Sequence, residues 1–126
     1  MSGDLLGDLL RQVSRSFYLS LAVLPSALRE PIGLAYLLAR AADTIADTRL
    51  VVRAERLGHL ETLRQSCAGE PADVGALARA CAPQQPSAPE RRLLERVPEA
   101  LVRVAALPPS DQHEVQIGRA SCRERV

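Results

Sequence analysis

The chain has 126 residues, 47% of them hydrophobic and 25% charged, with a formal net charge of +1, the make-up of one globular domain or part of one. All 16 basic residues are Arg and both signs of charge are mixed along the chain, so no basic stripe marks a nucleic-acid partner. Cys67, Cys81 and Cys122 contain no CxxC pair and are odd in number, so neither a disulfide framework nor a zinc site is indicated, and a reducing, cytoplasmic setting fits.

The first residues carry Asp4 and Asp8 where a signal peptide needs a basic region, and no apolar run reaches bilayer-spanning length. Ser2 can cap a short helix with Leu5, Leu6, Leu9, Leu10 and Val13 at helical spacing. Ser14-Arg15-Ser16-Phe17 follows, then an apolar segment to Leu24. Pro25-Ser26 breaks the pattern, with Ser26 the expected N-cap of a central helix, Pro31 near its first turn and an end around Thr48–Leu50. Arg53–Cys67 reads as an exposed amphipathic helix, with Leu57, Leu60 and Leu63 inward and Glu55, Arg56, Glu61 and Arg64 outward. Gly69-Glu70-Pro71 is a turn, Asp73–Cys81 a short Ala-rich helix and Pro83–Pro89 a surface loop. Glu90–Leu107 is helical in pattern, kinked or divided at Pro98. Pro108-Pro109 stops it, and Ser110 can cap a further helix from Asp111. No segment alternates with period two, so the expected fold is all-α.

Gln116–Val126 reads, codon by codon, as the in-frame translation of a common sequencing adapter. The expectation is a native region 1–115 followed by a foreign tail 116–126, which is left out of fold reasoning. Without the tail the charge balance is 13 basic to 14 acidic residues.

The chemistry concentrates between Ile32 and Thr48. A helix turns about 100° per residue, so Tyr36, Arg40, Asp43 and Asp47 share a stripe about 60° wide. Leu, Ile and Ala fill most of the remaining positions, and charged groups on such a helix need a partner or a ligand. Two carboxylates one turn apart suit a hard cation with oxygen ligands. The alternative is that Asp43 and Asp47 pair with Arg40 and Arg49 as solvated helix charges. His59 and His113 have no partner at ligand spacing and read as surface residues.

Tyr36-x-x-x-Arg40-x-x-Asp43-x-x-x-Asp47, with Ser14-Arg15-Ser16-Phe17 upstream, resembles the squalene/phytoene synthase family. The likeness is close from Val13 to Thr48 and looser up to Val115. It implies the N-terminal part of a single-domain, isoprenoid-synthase-type helical fold. By that resemblance Asp43 and Asp47 form the first of two aspartate-rich motifs and bind Mg²⁺ ions bridging to the diphosphate of a prenyl donor. Arg40 contacts the diphosphate, and Tyr36 orients phosphate or stabilises a carbocation through its ring. Ser14, Arg15 and Ser16 belong to a diphosphate-contacting element, and Phe17 to the wall of the prenyl pocket. Tyr36 as a core aromatic, and Ser14-Arg15-Ser16-Phe17 as a helix cap with one core Phe, are the alternatives.

The pattern departs from some family members in having Thr44, not a second aspartate, after Asp43. The second aspartate-rich motif is missing. The implied activity is Mg²⁺-dependent head-to-head condensation of two isoprenyl diphosphates, farnesyl or geranylgeranyl, to a squalene- or phytoene-type product. The farnesyl substrate is slightly favoured, and NADPH is implied only for a squalene-forming enzyme. The chain as given is expected to be inactive and marginally stable, with Phe17, Leu21, Leu34 and Leu38 short of cover. Cytoplasmic location is implied, with peripheral membrane contact also open; no nucleic-acid partner is expected. The competing readings are another class I isoprenoid enzyme and a helical protein-interaction module without catalysis.

Overall fold

The computed structural model describes residues 5–49 and 51–112. Among them every regular element is helical, which is the all-α fold expected from the lack of period-two alternation. A π-helical turn at Leu5–Leu9 runs into α1 (Leu10–Val13). Ser14 then opens α2 (Arg15–Ala22), its hydroxyl accepting the Phe17 N–H at 3.3 Å as an N-cap should. Arg29 closes α2 from outside, donating to the carbonyls of Leu24 and Ala22 at 2.9 and 3.0 Å.

The central helix is α3 (Ser26–Ala46). Its N-cap is Pro25, with no side-chain cap bond, so Ser26 is a helical residue and not the expected cap. Pro31 is buried inside the helix, deeper than a first-turn position, and costs it a backbone hydrogen bond. Asp47 is the C-cap, so the helix stops short of Thr48. Leu34, Leu37, Leu38, Ala41, Ala42 and Ile45 are buried on α3 at the i, i+3, i+4 spacing of a core-facing stripe. Gly33 is required by close approach. A Cβ there would stand 2.6 Å from Leu6 Cδ2 and 3.2 Å from Leu21 Cδ2.

Four further helices follow α3. These are α4 (Arg53–Cys67), α5 (Val74–Cys81), α6 (Ala88–Glu95) and α7 (Val97–Ala105), with a 3₁₀ turn at Ala82–Gln84. Three of them, α4, α6 and α7, pack directly on α3, and α5 packs on those three. The shared core draws on Leu60 and Leu63 of α4, Leu77 and Cys81 of α5, Leu93 and Leu94 of α6, and Val97 and Val104 of α7. Leu21, Leu34 and Leu38 are therefore buried, so the expected shortfall of cover does not occur at these three, while Phe17 is only half-buried. The large apolar groups left in water are elsewhere, among them Leu19, Val23 and Leu28 around the α2–α3 junction.

Two expectations for α4 also change. Leu57 is 42% exposed and not inward. Arg56 is not an outward charge, because its guanidinium turns in and donates to the Ala46 carbonyl at the end of α3. Gly69, at φ +85, ends α4, with Glu70 N–H donating to Gln65 O and Gly69 N–H to Ser66 O. This is a Schellman closure, which favours glycine at the left-handed position. Asp73 is the cap of α5, accepting from Ala76 N–H at 2.9 Å. The long C-terminal pattern divides at Arg96, which puts Pro98 in the first turn of α7, where proline is tolerated. Residues 109–112 are helical, so Ser110 lies within that turn and does not cap it. Glu30 and Arg103 pair at 2.9 Å and tie α7 to α3. No helix among the described residues is long and apolar enough to cross a membrane. Ser2, His113 and the tail 116–126 lie outside the described residues.

Candidate functional site

The stripe read from the sequence lies along the second half of α3, with Asp47 one residue beyond its end. Tyr36 is half-buried and stacks on Phe17 of α2, ring centroids 4.1 Å apart and planes 11° from parallel. This contact fastens the start of α2 to the stripe. Arg40, one turn on, is half-buried. Its guanidinium stands 3.6 Å from the Glu90 carboxylate of α6.

Asp43 and Asp47 are exposed. Among the described residues neither carboxylate has an ion pair or hydrogen bond. The arrangement in which Arg40 and Arg49 neutralise them is thus not the one found. Both carboxylates also sit in the last turn or at the cap of α3, where backbone carbonyls already concentrate negative potential. Two unpaired negative charges in that place are destabilising for the helix alone. A bound cation removes the penalty.

Beneath them the backbone is held by buried hydroxyls. Thr44 Oγ1 donates to the Arg40 carbonyl at 2.9 Å, and Thr48 Oγ1 to the Thr44 carbonyl at 2.7 Å. Thr48 Oγ1 in turn accepts from Gln85 Nε2 at 2.8 Å, and Gln85 Nε2 also donates to the Cys81 carbonyl at 3.1 Å. Gln85 is only 6% exposed. The segment after α5, expected as a surface loop, is therefore anchored to the end of α3. It forms the opposite wall of a cleft of about 430 Å³ lined by Arg40, Asp43, Thr44, Asp47, Gln85, Pro86 and Glu90.

Arg40, Asp43 and Asp47 are thus brought together on one cleft, whereas Tyr36, stacked on Phe17 one turn before Arg40, does not line it. Ser14, Arg15 and Ser16 do not line it. Ser14 serves as a helix cap, and Arg15 and Ser16 are exposed in the first turn of α2. His59 is half-buried on α4, away from the cleft lining. Gln85 and Glu90 were not singled out from the sequence, because only the fold carries them to α3.

The donor set fits a hard cation. Two carboxylate side chains that pair with no cation among the described residues line the cleft, and Mg²⁺ characteristically takes one or two carboxylates, water and substrate phosphate. Among the described residues no group of three or more His, Cys, Asp or Glu forms an all-protein cage, so the remaining ligands would come from outside this set.

Comparison with known proteins identifies the family. Residues 10–124 match the squalene/phytoene synthase family. A 58-residue segment is 40% identical to a bifunctional lycopene cyclase/phytoene synthase of Blakeslea trispora, covering 46% of this chain and 10% of that protein. The matched region thus spans about a tenth of the length of that curated relative. No solved structure matches the chain.

Proposed function

Because the chain belongs to the squalene/phytoene synthase family, we propose that it contributes the first aspartate-rich half of a head-to-head isoprenyl diphosphate synthase. The observation that carries this reading is the cleft on which Arg40, Asp43 and Asp47 converge, with both carboxylates unpaired among the described residues. Asp43 and Asp47 would hold Mg²⁺, which when bound stabilises the departing diphosphate as an electrostatic sink. Arg40 offers a planar fork to the same diphosphate. The Tyr36–Phe17 stack would supply the aromatic wall for an allylic chain and for positive charge developing on it. Ser14, Arg15 and Ser16 do not line the cleft and are proposed as diphosphate contacts from the resemblance to the family alone.

The substrate is proposed to be farnesyl or geranylgeranyl diphosphate, with NADPH needed only for a squalene-type product. Residues 1–115 are proposed as the N-terminal part of the synthase domain and 116–126 as translated adapter. A genomic read reproducing those codons would overturn the second point. The chain by itself is proposed to be inactive. The test is turnover of radiolabelled farnesyl and geranylgeranyl diphosphates by the gene completed from its locus, with and without Mg²⁺. Metal-dependent formation of a C30 or C40 product supports the proposal. Metal-independent binding of a protein partner, with no product, would instead make the chain an interaction module.

A further inference from the structure

Resting on that reading of the cleft, we infer that Glu90 is a positioning residue, which keeps Asp43 and Asp47 free for metal by holding Arg40 aside. Arg40 lies three residues before Asp43, on the same face of α3. That spacing allows a pair within the helix, and such a pair would occupy the carboxylate with a guanidinium. The structure shows the other choice, with Arg40 turned across the cleft to Glu90 at 3.6 Å and Asp43 and Asp47 left without partners among the described residues.

Glu90 is well placed for this. It stands in the first turn of α6, where the helix dipole favours a carboxylate. The wall that carries it is fixed through Gln85, whose carbonyl accepts from Arg91 Nη2 at 3.3 Å and whose amide holds Thr48. The Arg40–Glu90 pair is also built to release. It is long, and both side chains are partly solvated, at 38% and 29% exposure. A diphosphate can offer Arg40 shorter, charge-assisted hydrogen bonds than this partner does. Glu90 therefore parks the guanidinium at the edge of the site until the anion arrives.

The test is a double-mutant cycle on Mn²⁺ binding by the full chain, read by electron paramagnetic resonance at fixed ionic strength, with helicity checked by circular dichroism. Asp43→Asn serves as the control and should lose binding. Glu90→Gln should weaken Mn²⁺ binding about two- to five-fold, the span of a partly exposed ion pair, because Arg40 then turns to the carboxylates. In an Arg40→Gln background the same change should cost clearly less. Equal losses in both backgrounds would make Glu90 a ligand or a bystander charge, and would overturn the inference alone. Absence of Asp43-dependent binding overturns the reading of the cleft and this inference with it. Should Glu90→Gln lose helicity, Glu90→Asp, too short to keep the contact, takes its place in the cycle.

Discussion

The side-chain amide of Gln85 donates to the hydroxyl of Thr48 at 2.8 Å, across 37 residues of sequence and with both residues buried. This bond ties the wall of the cleft to the turn that carries Asp47. Replacing Gln85 by Leu leaves the Thr48 hydroxyl with one partner fewer and removes the donor to the Cys81 carbonyl. The expected cost is about 1–3 kcal/mol, read as a lower urea midpoint by circular dichroism. Adding Thr48→Val should cost less than the two changes summed, since an apolar pair leaves fewer orphaned groups.

Asp43→Asn in the completed enzyme should abolish turnover while the helix stays folded. In the chain itself it should remove Mn²⁺ binding. Stability should hold or rise, because the change deletes an unpaired charge near the C-terminus of α3. Asp47→Asn should likewise raise stability, by about 0.3–1 kcal/mol at low salt, while weakening metal binding. Urea midpoints at low and high salt check both, and unchanged metal binding in Asp43→Asn would leave Asp43 as a surface charge only.

How much of this was legible beforehand differs between kinds of contact. The stripe Tyr36–Arg40–Asp43–Asp47 is visible because helical geometry alone puts its members on one face. Arg53–Cys67 has the residue bounds expected from its pattern, and Gly69 ends it by the backbone geometry its lack of a side chain allows. Gln85 and Glu90 were not legible. Their roles come from tertiary contacts to α3, and a Pro-rich segment between helices reads locally as a surface loop. Arg56 was misread for the same reason, since a charged residue on an amphipathic helix usually faces water. Leu57 shows the converse, an apolar position at the edge of the buried stripe that remains exposed.

Cys81 is buried, and that burial pushes its thiol above its ordinary pKa of 9.0. The neutral thiol is the form the fold accommodates. Its contribution is therefore fully present below pH 9.0 and is lost as pH rises through the raised folded value. Stability of the chain should fall on the alkaline side of pH 9.0, and Cys81→Ala should show a shallower alkaline fall. Native Cys81 should also react slowly with a thiol reagent at pH 8, because little thiolate is present. Fast labelling of the folded chain would show that the pocket opens.

Arg56 offers the sharpest check on how the end of α3 is held. Its guanidinium donates to the Ala46 carbonyl, one of the carbonyls that a helix end leaves without an internal donor. The positive charge also opposes the negative potential concentrated there, next to Asp47 and one turn from Asp43. Its Nε is buried with no partner among the described residues, so the side chain is desolvated at some cost to make this contact. Arg56→Met keeps most of the aliphatic stem and removes the donor and the charge. A hydrogen bond to a charged group is worth about 1.5–3 kcal/mol, and the buried Nε offsets part of it, so a loss of about 1–2 kcal/mol is expected. The same variant should bind Mn²⁺ no more weakly than the parent chain, since among the described residues Arg56 pairs with neither carboxylate. Amide exchange should rise at Ile45, Ala46 and Asp47 while Leu34 to Leu38 stay protected. Uniformly faster exchange along α3 would show that Arg56 supports the whole helix and not its final turn.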